Sequence, residues 1–238
     1  MVEYVLFDLD DTLYPPAAGL MLALSRRMTR YMVEQLGLNR NKANLLRRQY
    51  NQKYGSTTRG LALHHDVDLK HFLQYAHDLP IEKYLKQDRD LECLLNCILV
   101  KRGIFTNAPQ FYTEKVLEVL GIKTCFSEIF ALEFSDYQGK PDEVVYSKII
   151  SHLDIEPESL MMLDDALLNL VPAKQLKWIT IWVNRDPQMK ANRADFAVSD
   201  LWQVAHIFQQ VGILDEAHRN EWDRCLSSCP LGNRKSNG

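Results

Sequence analysis

The sequence predicts an α/β protein: a doubly wound parallel sheet with a small all-helical cap inserted after the first strand. Three observations carry this expectation. Short apolar or β-rich runs recur along the chain, YVLF at 4–7, RGIF at 102–105, EIFAL at 128–132, LMML at 160–163, WITIWV at 178–183 and DFAV at 195–198. Helical patterns separate the later runs, and strands alternating with helices at this spacing make a parallel sheet covered on both faces. The segment from Pro15 to about Arg89 has no convincing strand and places its apolar residues at helical spacing instead.

Each element has its own warrant. YVLF is an unbroken apolar strand that ends in carboxylates. After it, LMLALSRRMTRYMVEQL and NKANLLRRQYNQKYG read as helices of the insertion, with the apolar and aromatic positions of 21–36 forming the cap core. Pro109 opens PQFYTEKVLEVL and Gly121 closes it, a proline start and a glycine stop. Pro141 opens PDEVVYSKIISHL with acids in the first turn, again a helix start. Pro172 falls inside LLNLVPAKQLKW, so that helix is expected to start late or to kink. The expected division is an α/β core of 1–14 and 90–226, a helical cap of 15–89 and a polar, flexible tail of 227–238.

Composition narrows the class. A chain of 238 residues suits one sizeable α/β domain, or a smaller one carrying an insertion. Hydrophobic residues make up 46% and charged residues 25%, close to soluble globular averages, which argues against a disordered or fibrous class. A net charge of −3 gives no broad attraction to nucleic acid or anionic lipid, so neither is an expected partner and any affinity for phosphate must be local. The amino end lacks the cationic start and long apolar centre of a secretory signal, and no run approaches a membrane span. A soluble, cytoplasmic protein is therefore expected. Of the five cysteines, Cys93 and Cys97 lie among leucines and read as small buried hydrophobes rather than metal ligands, in a reducing compartment. Cys225 and Cys229 have no assigned role. His64, His65, His71 and His77 crowd the cap without the spacing of a tight ligand set.

The chemistry concentrates at strand ends, where open sheets of this kind bind ligands. In FDLDDTLYP the first strand runs into Asp8, Asp10 and Asp11. Residues i and i+2 of an extended chain point the same way, so Asp8 and Asp10 are expected to present their carboxyls together, with Thr12 continuing the register. Two such carboxylates cannot both ionise without compensation, so one is protonated or a cation is bound. Magnesium suits the second case, because it uses few carboxylates and completes its shell with water and phosphate oxygens. Thr106 and Asn107 end the second core strand just before a helix whose free N–H groups favour anions. Lys140 precedes the next helix, where an ammonium can meet a phosphate as a compact charge. Asp164 and Asp165 end the fourth run, with Asn169 shortly after. Singly, these residues read as an acidic turn, a helix cap, a solvated lysine and surface acids; their joint placement points to a site.

DLDDT at 8–12, FTNA at 105–108, KPD at 140–142 and LDD at 163–165 resemble, in order, the four motifs of the haloacid dehalogenase superfamily of phosphohydrolases. More narrowly, DLDDTLYPPAAGL, YGSTTRGL, HFLQYAHD and FTNA look like its pyrimidine 5′-nucleotidase branch, whose helical cap lies between the first and second motifs. The resemblance implies a Rossmann-like core and a Mg²⁺-dependent phosphomonoesterase. It implies Asp8 as the nucleophile that forms an aspartyl-phosphate, Asp10 as general acid and base, and Thr106, Lys140 and the amides near Asn107 around the phosphate oxygens. Asp8, Asp10 and Asp165 are the implied metal residues, with Asp164 less defined. Arg59, in the cap phrase, is a candidate substrate contact. The implied substrate is a nucleoside 5′-monophosphate, pyrimidine preferred; the alternatives are another small ester such as a sugar phosphate, or a phosphate-binding regulatory protein without turnover. Dehalogenation is disfavoured, since Asp10 and the acid pair point to magnesium. Ala166 stands where a serine commonly follows the acid pair, and Lys177 where a glycine more often precedes the next strand.

Overall fold

Strand β1 (Tyr4–Phe7) is uniformly apolar because both faces of the sheet it centres are covered: alternate side chains enter two different cores. Val5 and Phe7 pack on one side with Ile104, Met161, Leu163 and Ile181, while Tyr4 and Leu6 pack on the other with Phe105, Met162 and Trp182. The computed structural model describes residues 1–184 and 193–215. Cys225, Cys229 and the tail expected at 227–238 lie outside the described residues.

After β1 come four helices without a strand: α1 (Leu20–Leu36), α2 (Arg40–Tyr54), α3 (Thr57–His64) and α4 (Leu69–His77). The side chains of Asn39, Ser56 and Asp68 accept from the backbone N–H three residues ahead and so cap α2, α3 and α4; such a cap contributes about 1 kcal/mol. Then follow α5 (Arg89–Asn96), β2 (Lys101–Phe105), α6 (Gln110–Leu120), β3 (Glu128–Phe130), α7 (Glu143–Leu153), β4 (Leu160–Asp164), α8 (Leu167–Gln175), β5 (Ile179–Val183), β6 (Phe196–Val198) and α9 (Val204–Gln210). The six strands pair in parallel in the order β3-β2-β1-β4-β5-β6. This is the doubly wound order, and it reverses beside β1, the position where such sheets form a ligand crevice. No described helix is long and apolar enough to cross a membrane.

Two sequence anomalies have local explanations. Lys177 holds a left-handed backbone with φ 66, the conformation that favours the glycine its position suggests. Helix α8 does not start late: it begins at Leu167 and runs through Pro172. Pro172 has no N–H to give the carbonyl of Leu168 four residues back, so the helix continues with one bond fewer. Cys97 is buried and Cys93 half-buried.

The cap is not a separate globule. A continuous cluster of buried side chains joins Leu20, Leu24, Tyr31 and Phe72 of the cap to Leu9, Tyr112 and Val116 of the core. Among the cap histidines, His64 meets Tyr54 and stacks on Tyr50, His65 meets Tyr50, and His71 meets Tyr31. His77, 6% exposed, donates from Nδ1 to the carbonyl of Leu73 at 2.9 Å and packs edge-on against Tyr112. Burial lowers its pKa from 6.5 to about 4. The unfolded chain therefore takes up this proton before the folded one does, and the stability tied to neutral His77 is complete above the unfolded value and lost as pH falls toward 4. Its size is about 3 kcal/mol. Urea unfolding at pH 7 and at pH 4.5 should show a larger loss of stability for the wild type than for His77→Phe; equal losses would rule out His77 as the source.

Candidate active site

The chain leaves β1 at Phe7 and turns at once. Asp8 is the first residue past the strand, residues 10–13 form a turn, and Asp11 adopts φ 59, a left-handed conformation that aspartate tolerates. The extended register expected for Asp8, Asp10 and Thr12 is thus replaced by a turn. It still brings Asp8, Asp10 and Asp11 to one cavity of about 320 Å³ at the carboxyl ends of the strands. The carboxyls of Asp8 and Asp10, however, make different contacts.

Asp8 faces the sheet. Its Oδ1 accepts from Lys140 Nζ at 2.7 Å and its Oδ2 from Thr12 Oγ1 at 3.1 Å. Thr12 Oγ1 in turn accepts the backbone N–H of Asp165 at 3.1 Å, which ties the loop after β1 to the loop after β4. Lys140, 1% exposed, uses its three N–H bonds on Asp8, on Asp164 Oδ2 at 2.6 Å and on the Phe105 carbonyl at 2.7 Å, with the Phe105 ring 5.0 Å away. Burial alone lowers an ammonium pKa, but Asp164 and Asp8 more than offset it, and the Lys140 pKa is raised. Asp164 is fully buried and also accepts from Ala166 N and from Asn169 Nδ2. It serves as the inner counter-charge of the lysine.

The lysine backbone is clamped as firmly as its side chain. Asn107 Nδ2 donates to the Lys140 carbonyl at 2.8 Å, and Asn107 Oδ1 accepts the Lys140 N–H at 2.7 Å. Gly139, with φ 70, leaves room for this clamp: a Cβ there would lie 2.5 Å from Asn107 Oδ1. From the cap, Gly55 approaches so closely that a Cβ would sit 2.6 Å from the Lys140 carbonyl oxygen. Glycine at both positions is what lets three loops meet.

Asp10 has different company. Its Oδ1 accepts from the hydroxyls of Tyr14 and Tyr112, the latter at 2.9 Å. Burial raises its pKa to about 7, with Asp8 adding to the rise and the two tyrosine bonds opposing it. A carboxyl poised there can give a proton and take one back near neutral pH.

Asp165 is the acid that lacks donors. No hydrogen bond reaches its carboxylate from the described residues, and burial, then Asp164 and Asp8, push its pKa up. Ligand oxygens of Asp8, Asp164 and Asp165 lie within 4.8 Å of one another. The donor set is all oxygen, which fits a hard cation such as Mg²⁺. Because Asp164 is taken up by Lys140, Asn169 and Ala166, Asp8 and Asp165 are the carboxylates best able to hold such an ion. The Asp10 side chain is not part of this group.

Of the other sequence candidates, Thr106 is buried at the cavity and its Oγ1 accepts the Ala108 N–H at 3.0 Å. Asn107 lines the cavity, but its amide is committed to the Lys140 backbone. Arg59 is not brought to the cavity: its Nη2 lies 3.7 Å from Asp142 Oδ2, beside a separate depression lined by Lys53, Gly139 and Pro141. Sequence reasoning passed over Tyr14, Tyr112 and Arg47. Tyr14 stands four residues beyond Asp10 and so had a local signal; Tyr112 is 102 residues from Asp10 and had none.

Residues 2–176 match the profile of the haloacid dehalogenase-like hydrolases. The chain is similar to Phosphate metabolism protein 8 of Saccharomyces cerevisiae, 31% identical over 134 residues, 52% of this chain and 41% of that protein. It is also similar to Validoxylamine A 7′-phosphate phosphatase of Streptomyces hygroscopicus subsp. limoneus, 26% identical over 129 residues, 53% of this chain and 60% of that protein. The matches thus span less than two thirds of either relative. Among solved structures, a HAD phosphatase from Thermococcus onnurineus superposes with a TM-score of 0.60 at 21% identity, covering 90% of this chain and 99% of that one. At that identity the likeness shows the shared fold.

The Lys140 geometry has a measurable consequence. Lys140→Met leaves Asp8 and Asp164 buried without their cation, and breaking such a pair costs about 3–5 kcal/mol. Denaturant unfolding should show that loss, and adding Asp164→Asn to Lys140→Met should recover part of it. Additive losses in the double variant would mean that the two residues do not act as a pair.

Proposed function

The chain belongs to the haloacid dehalogenase-like hydrolase family, and from that premise we propose that it is a Mg²⁺-dependent phosphomonoesterase acting on nucleoside 5′-monophosphates, pyrimidine ones preferred. The observation that carries the reading is the pairing of one carboxylate held by Lys140 and Thr12 with a second, tyrosine-bound carboxyl of raised pKa on the same cavity. A nucleophile and a proton carrier are what a two-step phosphoryl transfer requires.

In the first step an Asp8 oxygen attacks phosphorus, a new oxygen–phosphorus bond forms and the ester oxygen leaves. Asp10 supplies the proton that this alkoxide needs. In the second step Asp10, now a carboxylate, takes a proton from water as the water oxygen attacks phosphorus, and the Asp8–phosphorus bond breaks. Inorganic phosphate leaves and both acids return to their starting states. Lys140 and Thr106 stabilise the negative charge around the phosphate, and Thr12 keeps Asp8 oriented toward it. Mg²⁺, held by Asp8 and Asp165, would neutralise charge between those carboxylates and the phosphate oxygens.

The cavity volume of about 320 Å³ suits a small ester. The similarity to a Validoxylamine A 7′-phosphate phosphatase favours a second reading of the same site, a phosphatase for a small ester other than a nucleotide.

Asp8→Asn should lower phosphate release from an aryl phosphate in Mg²⁺ by about a thousandfold or more; a variant that keeps most of its turnover would displace Asp8 as nucleophile. Chelation with EDTA should abolish release and added Mg²⁺ restore it, and indifference to EDTA would remove the metal from the reading. Across a panel of esters, uridine and cytidine 5′-monophosphates should give the highest kcat/KM, whereas equal or greater activity on sugar phosphates would overturn the nucleotide preference.

A further inference from the structure

The cavity has an acidic floor and a mixed roof. Met21, Leu24 and Met28 of α1 lie three and four residues apart, so they form one apolar wall, and Arg47 and Asn51 of α2, four apart, form a polar one. Asn51 is engaged, its Oδ1 accepting from Thr57 Oγ1 at 2.9 Å. Arg47 is not fully engaged. Its Nη1 donates to Ser25 Oγ at 3.0 Å, but its Nε is buried without a hydrogen-bond partner among the described residues. Burial, and then the neighbouring Arg48, lower its pKa, and no carboxylate offsets them.

A buried donor without a partner is costly, and more so on a cation. Two other partly buried arginines show the usual remedy: Arg102 donates to the carbonyls of Leu95, Ile98 and Cys125, and Arg27 to that of Tyr75. The Nε edge itself is closed to the cavity, but Nη2 is not buried in this way and has no partner among the described residues, so the half-buried guanidinium offers open donors from the cavity wall to a ligand. Guanidinium presents a rigid planar fork suited to carbonyl or carboxylate oxygens. Lys140 and Thr106, which the proposed reaction uses at the phosphate, line the same cavity.

We propose that Arg47 is the residue of the cap that selects the substrate, donating to an oxygen acceptor on the leaving group, a ring carbonyl or a carboxylate, while Met21, Leu24 and Met28 cover its apolar part. This rests on the phosphomonoesterase reading and adds to it the chemical class of the leaving group. Esters whose leaving group has no such oxygen gain nothing from Arg47.

The test compares uridine 5′-monophosphate, which offers ring carbonyls, phosphoglycolate, which offers a carboxylate, and phenyl phosphate, which offers neither. In Arg47→Ala the ratio of kcat/KM for the matching ester to that for phenyl phosphate should fall about 10- to 100-fold, the loss expected for a hydrogen bond from a charged group. Arg47→Lys should recover part of it, and whichever of the two oxygen-bearing esters loses the advantage identifies the acceptor. A parallel loss on all three esters, no loss on either oxygen-bearing ester, or the same effect from Ser25→Ala would show that Arg47 only joins α1 to α2 and would overturn the proposal. Calorimetry on Asp8→Asn, with and without Arg47→Ala, separates this from the reaction itself. Arg47-dependent binding of uridine 5′-monophosphate or phosphoglycolate in a protein whose wild type hydrolyses none of the esters would refute the phosphatase reading and leave the Arg47 assignment standing. Turnover without any Arg47 dependence would do the reverse.

Discussion

A single buried ammonium organises this molecule. Lys140 lies in the interior with all three donors used, on Asp8, Asp164 and the Phe105 carbonyl. Each of these belongs to a different strand end, so one side chain fixes the relative positions of the loops after β1, β2 and β4. Removing charges from water is unfavourable, and such a group is tolerable only when every donor and acceptor around it is met. The surroundings meet that condition: Asn169 and Ala166 complete Asp164, Thr12 completes Asp8, and Asn107 pins the lysine backbone. The conflict among clustered acids after β1 is thereby partly relieved from within the protein.

What remains is distributed unevenly, and the unevenness has chemical use. Asp8 sits against a cation and a hydroxyl, Asp10 against two tyrosine hydroxyls in a buried position, and Asp165 against other acids with no donor among the described residues. Asp10 and Asp165 thus acquire raised pKa values, from burial first and then from neighbouring acids. The tyrosines matter here because they hold Asp10 away from the Lys140 group while moderating the rise that burial imposes.

The cap and the core meet at the same place for steric reasons. Gly55 admits the Lys140–Pro141 backbone against the turn between α2 and α3, and Gly139 admits Asn107 from the other side. The cap thereby reaches over the acidic floor with α1 and α2, whose Met21, Leu24, Met28 and Arg47 line the cavity. Buried apolar side chains run from α1 and α4 into the core near α6, so the roof and the floor are coupled by packing as well as by shape.

By itself the sequence determined the strands, because buried parallel strands are continuous apolar runs, and the strand-free insertion, because helical periodicity is local. It also brought out Asp8, Asp10, Asp164 and Asp165 beside strand ends and Lys140 just before a helix, because short-range pattern and motif order are informative there. The departures at Lys177 and Pro172 were visible there too, though their accommodation was not. Tertiary structure alone decided the partners: that Asp8 and Asp10 diverge at a turn rather than aligning along a strand, that Asn107 clamps a backbone instead of presenting its amide, that Arg59 turns to Asp142, and that Tyr112 reaches Asp10. The reason is physical. Periodicity and turn chemistry act over a few residues, whereas a hydrogen bond between positions 10 and 112, or a buried donor left open at Arg47, exists only once distant segments are packed against each other.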